Sequence, residues 1–322
     1  MKIRQNVPLK DILFYKIGGK TRWLLEAQST EDIIEAVEFI QTNKIDKWMV
    51  VGLGANLVMP DEDYKGVIIR IRKAGVSDIR MTHDGLIVSY AGQTLDEIIR
   101  FSFDHHLLGL EVLGGLPSTV GGAIRGNAGA FGVDMKNVVE KVGVLEIQDQ
   151  AYQIREFSNE NCQFAYRDSL FKHNPRYIIL KGFFQLEHGS EEEVKKAKHV
   201  YQEQIEYRKK NHPVEYPSCG SVFKNIRDKE EVSKILAIWP DIQEQVESKW
   251  HGKVSMGYVI NRLGFVGTTV GGAKITDKHA NYISNVGNAK ASDVRTIISM
   301  ITKTFYDTFG FYPDLEAELV TY

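Results

Sequence analysis

The sequence predicts an α+β fold, because helices and strands are mixed along the chain without the strict alternation of a doubly wound parallel sheet. Capping boxes, in which Ser or Thr precedes an acid by three residues, mark helix starts at Ser29–Asp32, Thr94–Glu97 and Ser190–Glu193. A further helix is predicted from near Ser292 to Gly310, with Ile297, Ile298 and Ile301 on one face.

Strands are predicted where short apolar or alternating runs occur, at Trp48–Val51, Val67–Ile71, Leu86–Tyr90 and Ile178–Leu186. The long charged helix that begins at Ser190 is expected to run to about Lys210. Pro213 and Pro217 then end it and indicate a domain boundary near residue 212. A second boundary is expected near residue 72.

Composition excludes several classes of protein. The 322 residues suggest two or three domains, and the net charge of −2 gives no general affinity for nucleic acid or an anionic membrane. The two cysteines, Cys162 and Cys219, have no metal-ligand spacing, so we expect no metal site and a reducing compartment. The N-terminus lacks a signal-peptide pattern, and no apolar run reaches the ~18–20 residues of a membrane helix. The sequence therefore predicts a cytoplasmic protein.

A Gly-x-Gly turn, Gly52 and Gly54, follows the predicted strand Trp48–Val51. Leu57 stands where a dinucleotide fingerprint has its third glycine, and Pro60 prevents an immediate long helix. We therefore expect any phosphate to be held by loop amides and by the side chain of Asn56. The alternative is a tight strand-to-loop turn with no ligand.

A second, denser segment is GGLPSTVGGAIRGNAGAFG, with seven glycines within 19 residues: Gly114, Gly115, Gly121, Gly122, Gly126, Gly129 and Gly132. Ser118, Thr119 and Asn127 add hydroxyls and an amide. Successive backbone N–H groups in such a segment form anion-binding nests, although a small-residue packing loop is the alternative. The two loops, about 60 residues apart, are predicted to clamp one dinucleotide between two subdomains, which suggests FAD.

Three further segments complete a pattern: FAYRDSLFK (Phe164–Lys172), YPSCGSVFKN (Tyr216–Asn225) and PDLEAELV (Pro313–Val320). With VGLGANLV, the second glycine segment and GGAKITDKHANYISN, they occur in the order of one family. The chain resembles the UDP-N-acetylenolpyruvoylglucosamine reductases, the MurB family, from KIGG near Lys16 to Glu318.

The resemblance implies a PCMH-type FAD-binding module of two subdomains, residues 1–72 and 73–212. A substrate-binding α+β domain, residues 213–305, would follow, and residues 306–322 would return to the flavin. The FAD-binding positions implied are Gly52, Gly54, Ala55, Asn56, Leu57, Gly115, Ser118, Thr119, Gly121, Gly122, Gly126 and Asn127.

The family chemistry uses NADPH to reduce FAD, and hydride then passes from flavin N5 to C3 of an enolpyruvyl ether on a UDP-amino sugar. Arg167 resembles the arginine at the substrate carboxylate, where it would stabilise the enolate. Ser221 matches the serine that protonates C2, and Glu318 the carboxylate that assists there. Without the resemblance, Arg167 could instead form an ion pair with Asp168, Ser221 could serve a turn, and Glu316 competes with Glu318.

Substrate contacts are implied at Tyr166, Lys224, Asn225 and His279, although a lone histidine is often structural. The sequence also departs from the family. Val320 stands where an arginine is usual, Asn211–Pro213 where a lysine is frequent, and Ser118 where glycine is frequent. No room exists between Leu186 and Arg208 for the inserted loop that lays a tyrosine over substrate, whereas residues 226–253 resemble an insertion of other members.

Two other functions are less consistent with the sequence. An FAD-dependent oxidase or dehydrogenase of the same superfamily often tethers FAD through a histidine in the first phosphate loop, but residues 51–60 contain none. A non-catalytic nucleotide-sugar binder is disfavoured because Arg167, Ser221 and Glu318 are all present. The implied partners are UDP-N-acetylglucosamine enolpyruvate and NADPH, without nucleic acid or membrane insertion, for a monomer or weak dimer.

Overall fold

The computed structural model describes residues 1–75, 78–148 and 151–321. The chain divides into two compact units. Unit 1 comprises Met1–Val7, Lys20–Leu53 and Tyr64–Arg208, and unit 2 comprises Pro8–Gly19, Gly54–Asp63 and Lys209–Tyr322. Each unit combines helices with strands, so the predicted α+β fold class is confirmed.

The α-helices of the described residues are Thr30–Thr42, Leu95–Asp104, Val120–Arg125, Met135–Val138, Leu170–His173, Glu191–Asn211, Lys229–Ile238, Met256–Arg262 and Ala291–Phe309. Short 3-10 helices occur at Leu9–Asp11, Glu111–Leu113, Glu160–Cys162 and Pro240–Ile242, and a π-helical turn at Gln245–Lys249. Outside the sheets described next, paired two-residue strands occur at Gly129–Ala130 with Val133–Asp134, and at Leu107–Leu108 with Glu187–His188.

Unit 1 contains a four-stranded sheet with the order Lys2–Pro8, Lys20–Ala27, Tyr64–Ile71, Trp48–Val51. The last three strands run parallel. The helix that follows Ser29 packs on this sheet, because its buried Ile33 and Val37 share a hydrophobic core with Val67. The carboxyl end of the parallel strand Trp48–Val51 leads directly into Gly52.

A second sheet of unit 1 is antiparallel, with the order Tyr152–Ser158, Val139–Ile147, Tyr177–Phe184, Ile87–Tyr90, Ile79–Met81. The helix Val120–Arg125 lies against its central strand. A Cβ atom on Gly182 would come within 2.7 Å of Ile124 Cδ1, so glycine is required for this approach. The second glycine-rich segment is thereby fixed to a sheet.

Unit 2 is built around the helix Ala291–Phe309. Asp61 accepts hydrogen bonds from the N–H groups of Ala291 (2.6 Å) and Ser292 (2.9 Å) at the start of this helix. The helix ends at Gly310, whose φ is +76°. The remaining strands of unit 2 form the sheet Thr269–Val270, Ala273–Ile275, Ile283–Asn285 and the parallel pair Leu57–Val58 with Glu318–Leu319.

The helix starts predicted from capping residues are confirmed. Ser29 Oγ accepts from the N–H of Asp32 at 3.2 Å, and Thr94 and Glu97 cap each other. The long helix ends at Asn211, just before Pro213, as predicted. Ile297, Ile298 and Ile301 are buried. The subdomain boundaries near residues 72 and 305 stay predictions. No helix in residues 1–75, 78–148 and 151–321 is long and apolar enough to cross a membrane.

Candidate active site

Gly52 packs against the second glycine-rich segment. A Cβ atom on Gly52 would come within 2.4 Å of Thr119 Oγ1, so a larger residue would displace Thr119. Two positions that the sequence assigns to the same cofactor are therefore neighbours within unit 1.

The turn after Gly52 offers backbone donors rather than side chains. Gly54 has φ +68°, a conformation that favours glycine. The N–H groups of Gly54, Ala55 and Asn56 donate no backbone hydrogen bond to the described residues. The side chain of Asn56 is already engaged, since its Nδ2 donates to the carbonyl of Glu316 at 3.0 Å. Leu57, buried, begins the short parallel strand.

The glycines of the second segment serve different purposes. Gly115 has φ +74°, and a Cβ atom on Gly121 would come within 3.0 Å of the Ala91 side chain. A Cβ atom on Gly126 would meet nothing closer than the Gly122 carbonyl, at 3.5 Å, so this face is open to a ligand. Backbone conformation and close packing therefore favour glycine at positions 115 and 121. At Gly126 the absence of a side chain leaves a surface that a ligand can contact.

Hydroxyl groups line the same segment. Thr119 Oγ1 accepts from the N–H of Gly122 at 3.2 Å, and Ser118 Oγ donates to the Thr119 carbonyl at 2.9 Å. The N–H groups of Gly115 and Thr119 donate no backbone hydrogen bond to any described residue. Amide donors, hydroxyls and an uncovered glycine surface form a donor set that fits the pyrophosphate of FAD.

The side chain of Asn127 is buried and hydrogen-bonded to the backbone of neighbouring segments. It is 1% exposed; its Nδ2 donates to the carbonyl of Ala165 at 2.7 Å, and its Oδ1 accepts from the N–H of Lys136 at 2.9 Å. Ala165 opens the turn that carries Arg167, so Asn127 links the glycine segment to that turn.

Arg167 lies in a two-residue turn. The N–H and carbonyl groups of Ala165 and Asp168 bond to each other at 3.0 and 3.1 Å. Arg167 has φ +56°, a left-handed conformation that is uncommon for a residue other than glycine. Its guanidinium donates to the carbonyls of Asn127 and Gly129. The cation is thereby held against the glycine-rich segment of unit 1.

Asp168 binds a histidine. His173 Nε2 lies 2.8 Å from each carboxylate oxygen of Asp168, and the N–H of Ser169 donates to Oδ1. Burial alone would raise the pKa of Asp168, but these hydrogen bonds outweigh it and lower the pKa. Asp168 therefore remains ionised near neutral pH.

Tyr166 precedes Arg167 in sequence and contacts its side chain. The centroid of the Tyr166 ring lies 5.3 Å from the guanidinium carbon of Arg167.

Ser221 lies in an irregular loop of unit 2 between Gly220, whose φ is +76°, and buried Val222. Its side chain is half-buried and makes no hydrogen bond with the described residues. The backbone that follows Ser221 is held in place, because the N–H of Val222 donates to the Asn281 carbonyl at 2.9 Å. The Ser221 hydroxyl can therefore hydrogen-bond to a ligand from a hydrogen-bonded loop.

Glu318 is fixed to the same unit by backbone hydrogen bonds. Its N–H donates to the Asn56 carbonyl at 2.9 Å, within the short parallel pair. The carbonyl of Val222 accepts from the N–H groups of Glu316 (2.8 Å) and Ala317 (3.2 Å). The Ser221 loop, the Glu318 strand and the first glycine turn are therefore hydrogen-bonded to one another within unit 2.

The remaining predicted substrate residues of unit 2 flank this loop. The N–H of Lys224 donates to the Asp314 carbonyl at 2.9 Å, and Asn225 Oδ1 accepts from the N–H of Met256 at 3.0 Å.

His279 stacks edge-on with His212 and Tyr282, at centroid distances of 5.0 and 4.8 Å. Burial lowers the pKa of His279, so its neutral form is favoured. A neutral imidazole is not a fixed cation for a diphosphate.

The two cysteines are free and buried. Cys219, 2% exposed, has its pKa raised to about 12 by burial, to which the charge of Glu316 contributes. Burial also raises the pKa of Cys162 to about 12. A buried thiol with a raised pKa is a poor nucleophile, because the thiolate is the reactive form. No group of His, Cys, Asp and Glu side chains in the described parts of the chain is arranged to hold a metal ion.

Asn281, which hydrogen-bonds to the loop that carries Ser221, has no local signal in the sequence. Asn281, 3% exposed, accepts at Oδ1 from the N–H of Phe223 and donates from Nδ2 to the Phe223 carbonyl. An asparagine within the polar segment KHANYISN carries no local signal that its side chain pairs with a residue 58 positions away.

Sequence profiles of known families match both parts of this arrangement. Residues 22–149 match the FAD binding domain family, and residues 212–321 match the C-terminal domain of UDP-N-acetylenolpyruvoylglucosamine reductase. The reductase of Carboxydothermus hydrogenoformans is 32% identical over 99% of this chain and 94% of its own length. The chain belongs to the UDP-N-acetylenolpyruvoylglucosamine reductase family.

Another member, from Caldanaerobacter subterraneus subsp. tengcongensis, is 33% identical over 96% of this chain and 90% of its own. The crystal structure of UDP-N-acetylenolpyruvylglucosamine reductase (MurB) from Thermus caldophilus covers the whole chain with 26% identity and a TM-score of 0.73. The chain is thus an FAD-dependent oxidoreductase by family. The predicted combination of a PCMH-type FAD-binding module with a C-terminal α+β domain is confirmed.

Proposed function

We propose that this MurB family member reduces UDP-N-acetylglucosamine enolpyruvate to UDP-N-acetylmuramate for peptidoglycan synthesis, with NADPH as the reductant, in the cytoplasm. The name shared by its curated relatives supports this substrate. The observation that carries the proposal is the hydrogen-bonded assembly of the Ser221 loop with the Glu318 strand.

The reaction adds two hydrogens across a carbon–carbon double bond. The two glycine-rich segments would hold FAD, which, when bound and reduced by NADPH, would supply the hydride that C3 of the enol ether requires. The electron pair of the double bond then resides at C2 and in the adjacent carboxylate. C2 must take up a proton to complete the saturated ether, so the protein must stabilise negative charge and donate one proton.

Arg167 would stabilise the charge. Its guanidinium is oriented by the carbonyls of Asn127 and Gly129, so little reorganisation is needed when the enolate forms. A planar guanidinium also matches a carboxylate geometrically.

Ser221 would donate the proton to C2. A serine hydroxyl is a weak acid, but the enolate of a carboxylate is a very strong base, so the transfer is downhill. The half-buried hydroxyl makes no hydrogen bond with the described residues, which leaves it free to turn toward a substrate carbon.

Glu318 would assist at the same carbon, by hydrogen bonding or proton supply. Its competitor Glu316 lies close enough to Cys219 to contribute to the raised pKa of that thiol. Glu318 is instead the first residue of the parallel pair with Leu57–Val58.

The test separates the two half-reactions. NADPH bleaching of the flavin needs no proton at C2, whereas reoxidation by substrate does. Ser221→Ala is therefore expected to leave bleaching nearly unchanged and to slow reoxidation ~10²–10⁴-fold. Pre-reduced enzyme is mixed rapidly with UDP-N-acetylglucosamine enolpyruvate, and the flavin absorbance is followed.

Ser233→Ala is the matched control, because Ser233 is an exposed serine of the same unit whose hydroxyl donates to the carbonyl of Lys229. Reoxidation of Ser221→Ala at the wild-type rate would remove Ser221 from the chemistry and direct attention to Glu318. Bleaching by NADH at the same rate as by NADPH would contradict the proposed reductant.

A further inference from the structure

Asn281 directs its side chain at the loop that carries Ser221. Its Oδ1 accepts from the N–H of Phe223 at 3.0 Å, and its Nδ2 donates to the carbonyl of Phe223 at 2.8 Å. Its own carbonyl accepts from the N–H of Val222 at 2.9 Å. Three hydrogen bonds from one buried residue therefore fix the two residues that follow Ser221.

The Ser221 hydroxyl has no hydrogen bond of its own to the described residues, so its position is set by the backbone on either side. On one side is Gly220, at φ +76° and with no atom within 4 Å of an added Cβ. On the other side are Val222 and Phe223, which Asn281 holds. Asn281 is thus the only side chain among residues 1–75, 78–148 and 151–321 that hydrogen-bonds to the backbone of Val222 or Phe223.

A nearby asparagine provides the contrast. Asn285 donates from Nδ2 to the carbonyls of Tyr15 and Lys16 at 3.4 and 3.3 Å, and its Oδ1 accepts from the N–H of Ala289. Both asparagines pair with backbone groups of distant or following residues, but only Asn281 pairs with the Ser221 loop. Removal of each side chain therefore separates a general structural effect from an effect on this loop.

We infer that Asn281 is a positioning residue for proton transfer from Ser221. The inference rests on the proposed function, since it assigns Asn281 a part in the delivery of a proton to C2. Loss of the side chain would leave the N–H and carbonyl of Phe223 without a partner and would allow the Ser221 backbone to shift. A displacement of about 1 Å at a reacting group can cost ~10²-fold in rate.

The experiment compares Asn281→Ala with Asn285→Ala in the holoenzyme. Asn281→Ala is expected to keep its flavin and its wild-type rate of bleaching by NADPH. Its reoxidation by the enolpyruvyl substrate should slow ~10²-fold, and the solvent deuterium isotope effect on that step should increase, as proton transfer becomes limiting. Asn285→Ala should reoxidise at the wild-type rate with an unchanged isotope effect.

Hydrogen exchange of the free protein gives a readout that does not depend on turnover. Asn281→Ala should exchange faster than wild type in a peptide covering residues 217–226, and Asn285→Ala should not. If Asn281→Ala does not fold, Asn281→Asp replaces it, because aspartate has the size of asparagine but, when ionised, lacks the donor to the Phe223 carbonyl. The same separation of half-reactions is expected from it.

Wild-type reoxidation rates in the Asn281 variant, despite faster exchange at residues 217–226, would overturn the positioning role. Equal slowing of both half-reactions would overturn it as well, since a general structural defect would then explain the loss. A wild-type enzyme that is bleached by NADPH but never reoxidised by the substrate would instead overturn the proposed function, and the inference with it.

Discussion

The turn that carries Arg167 in unit 1 and the loop that carries Ser221 in unit 2 are held in different ways. In the turn, the functional residue itself has the left-handed backbone, at φ +56°. In the loop, the left-handed position is the preceding Gly220, at φ +76°. The left-handed conformation is therefore adopted by an arginine, at a steric cost, in one segment and by a glycine, without that cost, in the other.

The side chains of Arg167 and Ser221 also differ in how firmly they are held. The Arg167 guanidinium is tied to the carbonyls of Asn127 and Gly129, whereas the Ser221 hydroxyl has no hydrogen bond with the described residues. A group that offsets charge benefits from a fixed position, since it then needs no reorganisation. A group that gives up a proton must be able to turn toward the acceptor. Each mode of support suits the proposed task.

The largest expected effect is on the reactivity of the two buried thiols that precede these segments in sequence. Cys162 lies five residues before Arg167 and Cys219 two before Ser221, and burial raises the pKa of each to about 12. At pH 8 the thiolate population is about 10³-fold smaller than for an exposed cysteine, whose pKa is about 8.5. Single-cysteine variants, Cys162→Ala and Cys219→Ala, should react slowly with an aromatic disulfide reagent until urea unfolds them.

The sign of the pH dependence follows. An acid whose pKa is higher in the folded state contributes less to stability once the pH exceeds its unfolded value, about 8.5, because only the unfolded chain ionises there. Urea midpoints should therefore fall between pH 8 and 10, and removal of either thiol should reduce that fall. Fast labelling of Cys219 or Cys162 in the native protein would contradict the burial of that thiol.

The second effect is on the rate at which substrate reoxidises the reduced flavin. Arg167→Ala should slow reoxidation of the reduced flavin ~10²–10³-fold, as the loss of one preorganised charge-stabilising group does elsewhere. Arg167→Lys keeps the charge but cannot reproduce a fork that donates to two carbonyls, so it should recover only part of the rate. Rapid mixing of pre-reduced enzyme at several substrate concentrations separates weaker binding from slower reaction. Full recovery by lysine would show that the fork has no role.

The smallest effect is on stability, and it should favour glycine over alanine in both segments, since both positions have a left-handed backbone. Arg167→Gly should be more stable than Arg167→Ala by about 1 kcal/mol, because glycine adopts φ +56° without steric cost. Gly220→Ala should lose about 1 kcal/mol from backbone strain alone, since the added methyl group meets no atom within 4 Å. Urea unfolding followed by circular dichroism measures both. Equal stability of the glycine and alanine variants at 167 would mean that the turn relaxes.

Features that depend on neighbours in sequence could be predicted. The caps at Ser29 and Thr94, the end of the long helix before Pro213 and the buried face of Ala291–Phe309 all follow from local patterns. The order of the functional segments was also readable, because glycine clusters and the YRDS and GSVFKN segments are specific.

Features that depend on pairing between residues distant in sequence could not be predicted. Nothing in YRDS indicates that an arginine, rather than a glycine, adopts the left-handed conformation. The residue types of Asn56 and Asn127 do not indicate that their Nδ2 atoms donate to the carbonyls of Glu316 and Ala165. Nor does the residue type of Asn281 indicate that its side chain pairs with the backbone of Phe223. An asparagine's partner is set by the fold, and its residue type alone does not reveal it.

The short parallel pair that carries Glu318 has a consequence for how the chain folds. Asn56 and Glu316, which hydrogen-bond beside this pair, are 260 residues apart in sequence. The entropy of closing so long a loop must be offset before the pair becomes stable, whereas capped helices form from nearby residues. We therefore expect this pairing to form late in folding. A chain interrupted before that stage would have its helices but would lack the pairing of Glu318 with Leu57.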